Sequence, residues 1–216
     1  MPEHILLKPK TPKEKLQNYW YHYKWHTLAA VFVAAVLAVC ITQCVNQVKP
    51  DYKVMVNISK PIPSEMLDEL ETELSAFGVD LNGDGIVKVQ LIDCSYDPAG
   101  NPQMVQAQST KLQAELSISE AMLIIVDRTM LDRLTGSEAV SGLFDTLPIF
   151  PNQSGIAYNL ADGPLYNKLN KDDYLPANLY ITKRVANRDK ESIRTREQQS
   201  MELLEKLIAA NPQPTP

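Results

Sequence analysis

The densest chemistry in this chain lies in six residues, Asp80-Leu81-Asn82-Gly83-Asp84-Gly85. Oxygen-bearing side chains at 80, 82 and 84 alternate as in the first half of a calcium loop, where they converge on one hard cation. Gly85 would supply the sharp bend, and Ile86 would offer its backbone carbonyl. The twelfth place of such a loop takes a bidentate carboxylate. Here it is Leu91, and Asp93 comes two residues late. The same residue types also build a plain helix-to-strand turn. Both readings stand on the sequence, and calcium is the one cofactor it suggests.

Three further acids, Asp93, Asp97 and Asp127, fall near the C-terminal ends of predicted strands. That edge of an open α/β sheet is where ligands bind. Solvated loop acids would look the same. All three histidines, His4, His22 and His26, lie in the first 26 residues. Everything after them lacks the commonest general base and the commonest metal ligand. A Ser-His-Asp hydrolase or a His-ligated zinc enzyme is therefore excluded there by composition. Cys94 is the one cysteine beyond residue 45 and reads as a buried thiol. Asn57-Ile58-Ser59 and Asn152-Gln153-Ser154 match the short N-glycosylation pattern.

These residues hang on a chain with a distinct start. Thr27 to Val45 is an uncharged, largely apolar run of the length that crosses a hydrocarbon core of ~30 Å. An aromatic cluster, Tyr19 to Trp25, precedes it, as at a membrane–water interface. Five lysines and two glutamates stand before the run; after it, sixteen basic residues face twenty-four acidic ones. Basic flanks stay cytoplasmic, so the N-terminus is expected inside and the rest outside. A cleaved signal peptide and a lipoprotein with Cys40 lipidated after Leu37-Ala38-Val39 are the rival readings. The expected division is a tail over 1–26, a transmembrane helix over 27–45, a domain over 46–210 and a flexible tail over 211–216.

The outer part is long enough for one domain with a real core. Asp51–Ser59, Val87–Cys94 and Ala121–Asp127 read as strands. Helices are expected over Ser64–Phe77, with Ser64 as its N-cap, and over Gln103–Leu116. Met130–Leu134 reads as a short helix, Leu143–Ile149 as a loop or edge piece, and Gly155–Leu160 and Leu179–Arg184 as strands. Glu191–Ala209 reads as an amphipathic helix with Met201, Leu204 and Ile208 inward. Alternating strands and helices predict a three-layer α/β domain, and the apolar third strand predicts a mostly parallel sheet.

Ser119 to Pro148, with the buried strand AMLIIVD, a short helix and Leu147-Pro148, resembles the first lobe of extracellular solute-binding proteins. Asp127 occupies the place of the acidic residue that ends that strand. Such proteins are about twice as long and close two lobes on a solute, so the resemblance implies the fold more than the activity. The whole chain also resembles a group of uncharacterised single-pass membrane proteins of Gram-positive bacteria. The shared features are the YHYKWHT stretch at Tyr21–Thr27, the DLNGDG loop and the LYITKR strand.

The resulting expectation is a single-pass cell-membrane protein whose extracytoplasmic domain is a non-catalytic binding or assembly module of the envelope. Its partners would be membrane lipid and an envelope protein or small solute. The acidic balance argues against nucleic acid. A carboxylate-dependent envelope enzyme and an accessory subunit of a transporter are the alternatives.

Overall fold

The computed structural model describes residues 11–45, 49–118, 120–136, 143–144, 147, 153–161, 163–170, 174–185 and 191–210. The tail expected over 211–216 lies outside them. The chain divides into two compact units, Met1–Gln47 and Val48–Pro216.

In the first unit, α1 runs Pro12–Val45 as one 34-residue helix. At ~1.5 Å per residue it is ~51 Å long. The helix begins fifteen residues before Thr27, so the basic, aromatic stretch from Pro12 is helical as well. Proline at its first position is well placed, since that N–H has no partner in a helix anyway. The segment Tyr19–Thr42 is long and apolar enough to cross a membrane, and its most apolar window is not buried.

The second unit is built on a six-stranded sheet in the order β2-β1-β3-β6-β5-β4. The strands are β1 (Tyr52–Asn57), β2 (Val89–Asp93), β3 (Leu123–Asp127), β4 (Gln153–Ser154), β5 (Ala157–Asn159) and β6 (Leu179–Lys183). The helices are α2 (Ser64–Ser75), α3 (Pro102–Ile118), α4 (Arg128–Gly136), α5 (Pro164–Leu169) and α6 (Glu191–Ala210). β1 pairs parallel with β2 and β3. From β3 onward the pairing is antiparallel: β3 with β6, β6 with β5, β5 with β4. The expected mostly parallel sheet is therefore corrected to a mixed one. β3 is buried at every position, as its apolar run predicted. Burial on both faces does not dictate a neighbour's direction, which depends on the side from which the chain returns.

Side-chain alternation splits the core in two. Tyr52, Val54, Val56, Leu123, Ile125 and Ile181 pack with α2, α5 and α6 on one face. Met55, Ile124 and Val126 pack with α3 and α4 on the other. Helices thus cover both faces, giving three layers. β1 reaches β2 over the first face, and β2 reaches β3 over the second in the opposite direction. The two crossovers therefore share one hand, as parallel strands require.

Local details set the helices. α2 buries Leu70 and Leu74. Its N-cap is Pro63, without a side-chain cap bond, and Ser64 stands one place further in. Gly78 follows the helix where a Cβ would meet Val87 Cγ1 at 2.7 Å and the Tyr52 ring at 2.9 Å. On α6, Leu203, Leu204 and Leu207 are fully buried. Lys183 and Glu197 form an ion pair of 2.8 Å whose side chains are only 8% and 14% exposed. It ties β6 to α6. Of the stretch Leu143–Ile149, Phe144 makes an isolated antiparallel bridge to Arg184, and 145–146 and 148–149 lie outside the described residues.

Candidate functional site

After β1 the chain leaves for α2 on one face, and after β3 for α4 on the other. The carboxyl ends of these neighbouring strands are thus a topological switch point, where α/β sheets open a crevice. Here Asp127 spans it. Its Oδ2 accepts the Ser59 N–H at 2.8 Å and also the Ser59 hydroxyl. Its Oδ1 accepts the Met130 N–H at 2.8 Å, capping α4. The Asp127 side chain, buried, fastens two loops to each other.

Lys60 flanks this point. Its Nζ lies 3.6 Å from the Tyr174 ring centroid and donates to the Tyr174 carbonyl at 3.2 Å. The Tyr174 hydroxyl donates in turn to the Pro61 carbonyl. On the other side, the segment after β2 is stitched to the segment after β1. Ser95 Oγ accepts the Ile58 N–H at 3.2 Å, and the Tyr96 N–H donates to the Ile58 carbonyl at 3.1 Å.

The three edge acids do not converge. Asp93 ends β2 and accepts the Ser95 N–H at 2.9 Å. Asp97 is exposed and accepts the Ala99 N–H at 2.8 Å within a turn. Asp93 and Asp127 stand on opposite sides of β1, two strand spacings or roughly 10 Å apart across the sheet.

The sequence marked Asn57 only as part of an N-glycosylation pattern. It is completely buried, and neither Oδ1 nor Nδ2 has a hydrogen-bond partner. An orphaned buried amide costs about 1–3 kcal/mol per group. Its signal was available: a lone amide in the otherwise apolar inward pattern of KVMVNI, at the end of β1. Burial also removes Asn57-Ile58-Ser59 as a glycosylation acceptor, while Asn152 lies outside the described residues. Arg184 is likewise buried, with Nε and Nη1 unpartnered, and burial pushes its guanidinium pKa down.

The DLNGDG loop forms a chain of side-chain-to-backbone turns. Asp80 accepts the Gly83 N–H at 2.7 Å and the Gly85 N–H at 2.8 Å. These bonds, Gly85 foremost, hold its carboxyl below the usual carboxylate range. Asn82 accepts from Asp84 N–H and Asp84 from Ile86 N–H, both at 2.9 Å. Gly83 and Gly85 adopt φ of 75° and 83°, which other residues rarely tolerate. Asp51, not singled out from the sequence, pins the loop to β1. Its carboxylate accepts from Leu81, Asn82 and Lys88 N–H groups. The Ile86 side chain is exposed, and Leu91, at the twelfth place, sits inside β2 with its N–H on Glu71 Oε1 at 2.7 Å. Among the described residues no group of three or more His, Cys, Asp or Glu is placed to hold a metal.

The opposite, amino edge of the sheet has a cleft of about 110 Å³ between β1 and α6. Lys53 and Glu120 pair across it, and this contact holds the Glu120 carboxyl below the usual range. Arg196 on α6 adds to the effect.

The chain matches no family model, and neither a curated protein nor a solved structure matches it. The class defined by the coordinates is thus an α/β domain with a mixed sheet, preceded by one long apolar helix.

Proposed function

We propose that this is a single-pass cell-membrane protein, with its N-terminal end cytoplasmic and its α/β unit outside. The α/β unit serves as a non-catalytic binding or assembly module of the envelope. The observation that carries the reading is α1, an exposed helix whose stretch from Thr27 is uncharged and apolar, followed by a separate compact unit. An apolar surface of this length is stable in hydrocarbon and not in water. The excess of lysine before the span sets the direction. The binding role is favoured by the use of the edge acids: Asp93, Asp97 and Asp127 each accept backbone N–H groups that shape the loops. Loops held this firmly present a preformed surface to a partner.

The test is residue-by-residue labelling in intact cells with a membrane-impermeant maleimide. Gln113→Cys should label in intact cells, and Thr11→Cys only after lysis. The reverse pattern would overturn the orientation. Turnover of glycan, peptide or phosphoester by the purified protein, lost on Asp93→Asn, would replace the binding role by the carboxylate-enzyme alternative.

A further inference from the structure

We propose that the cleft between β1 and α6 is a binding site for a carboxylate group. The inference rests on the binding role proposed above and names a ligand class for it. It does not depend on the anchor or its direction.

The cleft exists because one residue type on α6 is out of place. The inward row of this helix runs through Ile193, Leu203, Leu204 and Leu207, all buried. Ser200 stands in that row, seven residues after Ile193 and four before Leu204. It is only 9% exposed, and its hydroxyl makes no hydrogen bond among the described residues. Serines in the other helices return the hydroxyl to the carbonyl four residues back: Ser75 to Glu71, Ser109 to Val105 and Ser117 to Gln113. Ser200 does not, and it lines the cleft. A leucine here would fill the space and extend the core. The small hydroxyl instead leaves a polar hollow of about 110 Å³. At roughly 30 Å³ per liquid water, that is room for a carboxylate and the carbon that bears it.

The donors around the hollow are matched to that occupant. Arg196 stands one turn before Ser200 on the same side of α6, with Gln199 beside it, and all three line the cleft. Neither Arg196 nor Gln199 makes a hydrogen bond or ion pair among the described residues. Across from them, Lys53 and Glu120 neutralise each other as a pair. Asp51, also in the lining, commits both oxygens to the N–H groups of Leu81, Asn82 and Lys88. Among the described lining residues, the Arg196 guanidinium is thus the cation left without a close counter-ion. Its planar fork matches the two oxygens of a carboxylate. The Ser200 hydroxyl and the Gln199 amide can donate to the same oxygens from the helix. A phosphate dianion would meet the Glu120 carboxylate, so a single negative charge is preferred.

The test is acetate titrated at constant ionic strength into the full-length protein in detergent micelles, with saturation-transfer NMR read at the acetate methyl. Saturable transfer should appear. Arg196→Gln should weaken binding roughly tenfold or more, the loss of a charged hydrogen-bond pair. Arg133→Gln, which removes the same charge from α4, should leave it unchanged. Ser200→Val should abolish binding while holding or raising the Tm, a combination that a purely structural serine does not give. Phosphate should compete poorly. Triglycine, compared with its C-terminal amide, distinguishes the source of the carboxylate. Displacement of acetate by the free acid alone assigns a peptide terminus, and displacement by neither assigns a small free solute. Equal displacement by the amide, or by phosphate, overturns the carboxylate class. The site is overturned by no saturable transfer, by unchanged binding in both Arg196→Gln and Ser200→Val, or by an equal loss with Arg133→Gln. These results leave the binding role standing on another surface. That role falls instead to the separate turnover measurement on Asp93→Asn.

Discussion

The carboxylate of Asp127 closes onto Ser59 across the junction of β1 and β3, taking both its N–H and its hydroxyl on Oδ2 while Oδ1 caps α4. One buried side chain thus ends a strand, starts a helix and fixes the neighbouring strand's exit loop. Asp127→Ala should destabilise the 49–210 fragment by about 2–4 kcal/mol, from the lost cap and the stranded Ser59 N–H. Ser59→Ala removes one bond and should cost about 1 kcal/mol. Urea unfolding of both variants measures this. Equal, negligible losses would show that Asp127 is free for a ligand.

Glu71 protects the free edge of the sheet. β2 is an outer strand, and its outward N–H groups at Val89 and Leu91 are taken by Ser75 Oγ at 2.9 Å and Glu71 Oε1 at 2.7 Å. The Asp93 carbonyl is taken by Lys111 Nζ at 2.7 Å. An open edge is a template for pairing with another chain. Glu71→Ala should lower stability by about 1 kcal/mol and promote concentration-dependent association, seen by light scattering. A variant that stays monomeric at millimolar concentration refutes the protective role.

Cys94 should be inert in the folded protein. Burial pushes its thiol up to about 11 from an ordinary value near 9. A thiol-reactive probe at pH 8 should leave it unmodified until urea unfolds the domain. The linkage has a definite sign. The raised native value keeps the proton bound while the unfolded thiol ionises. Stability is therefore held below about pH 9 and falls as pH rises towards 11. The raised Tyr52 phenol acts in the same direction at higher pH. Cys94→Ala should shallow the decline, read from urea midpoints across pH 7–11.

The 80–85 loop keeps its shape through backbone amides and Asp51. Asp51→Ala should cost more than Asp84→Ala, by about 1–3 kcal/mol, because three backbone N–H groups lose their acceptor. Millimolar calcium should leave the melting temperature of the fragment unchanged, since Leu91 replaces the closing carboxylate. A calcium-induced rise in Tm that Asp80→Ala abolishes would establish the cation site instead.

Local pattern was enough for β1, β2, β3, α3 and α6. Alternation in KVMVN and the spacing of Leu204 and Ile208 report burial directly, because each side chain's face follows from its position along one element, while the equally buried Leu203 and Leu207 were not singled out. The short α5 went unread: six residues leave too little periodicity to detect. The site was legible only in part. Asp93 and Asp127 could be placed at strand ends from sequence, but that Ser59 would meet Asp127 across 68 positions depends on β1 and β3 becoming neighbours.

By itself the sequence determined the apolar helix, the absence of histidine beyond residue 26 and the types of the longer strands and helices, all properties of composition or of short-range periodicity. Only the tertiary structure decided that β6 runs against β3, that Asn57 is buried without a partner and that Asp51 holds the DLNGDG loop. Each of these depends on which distant segments come to lie side by side. That is set by the chain's return path and by packing of the whole core, and no local window contains it.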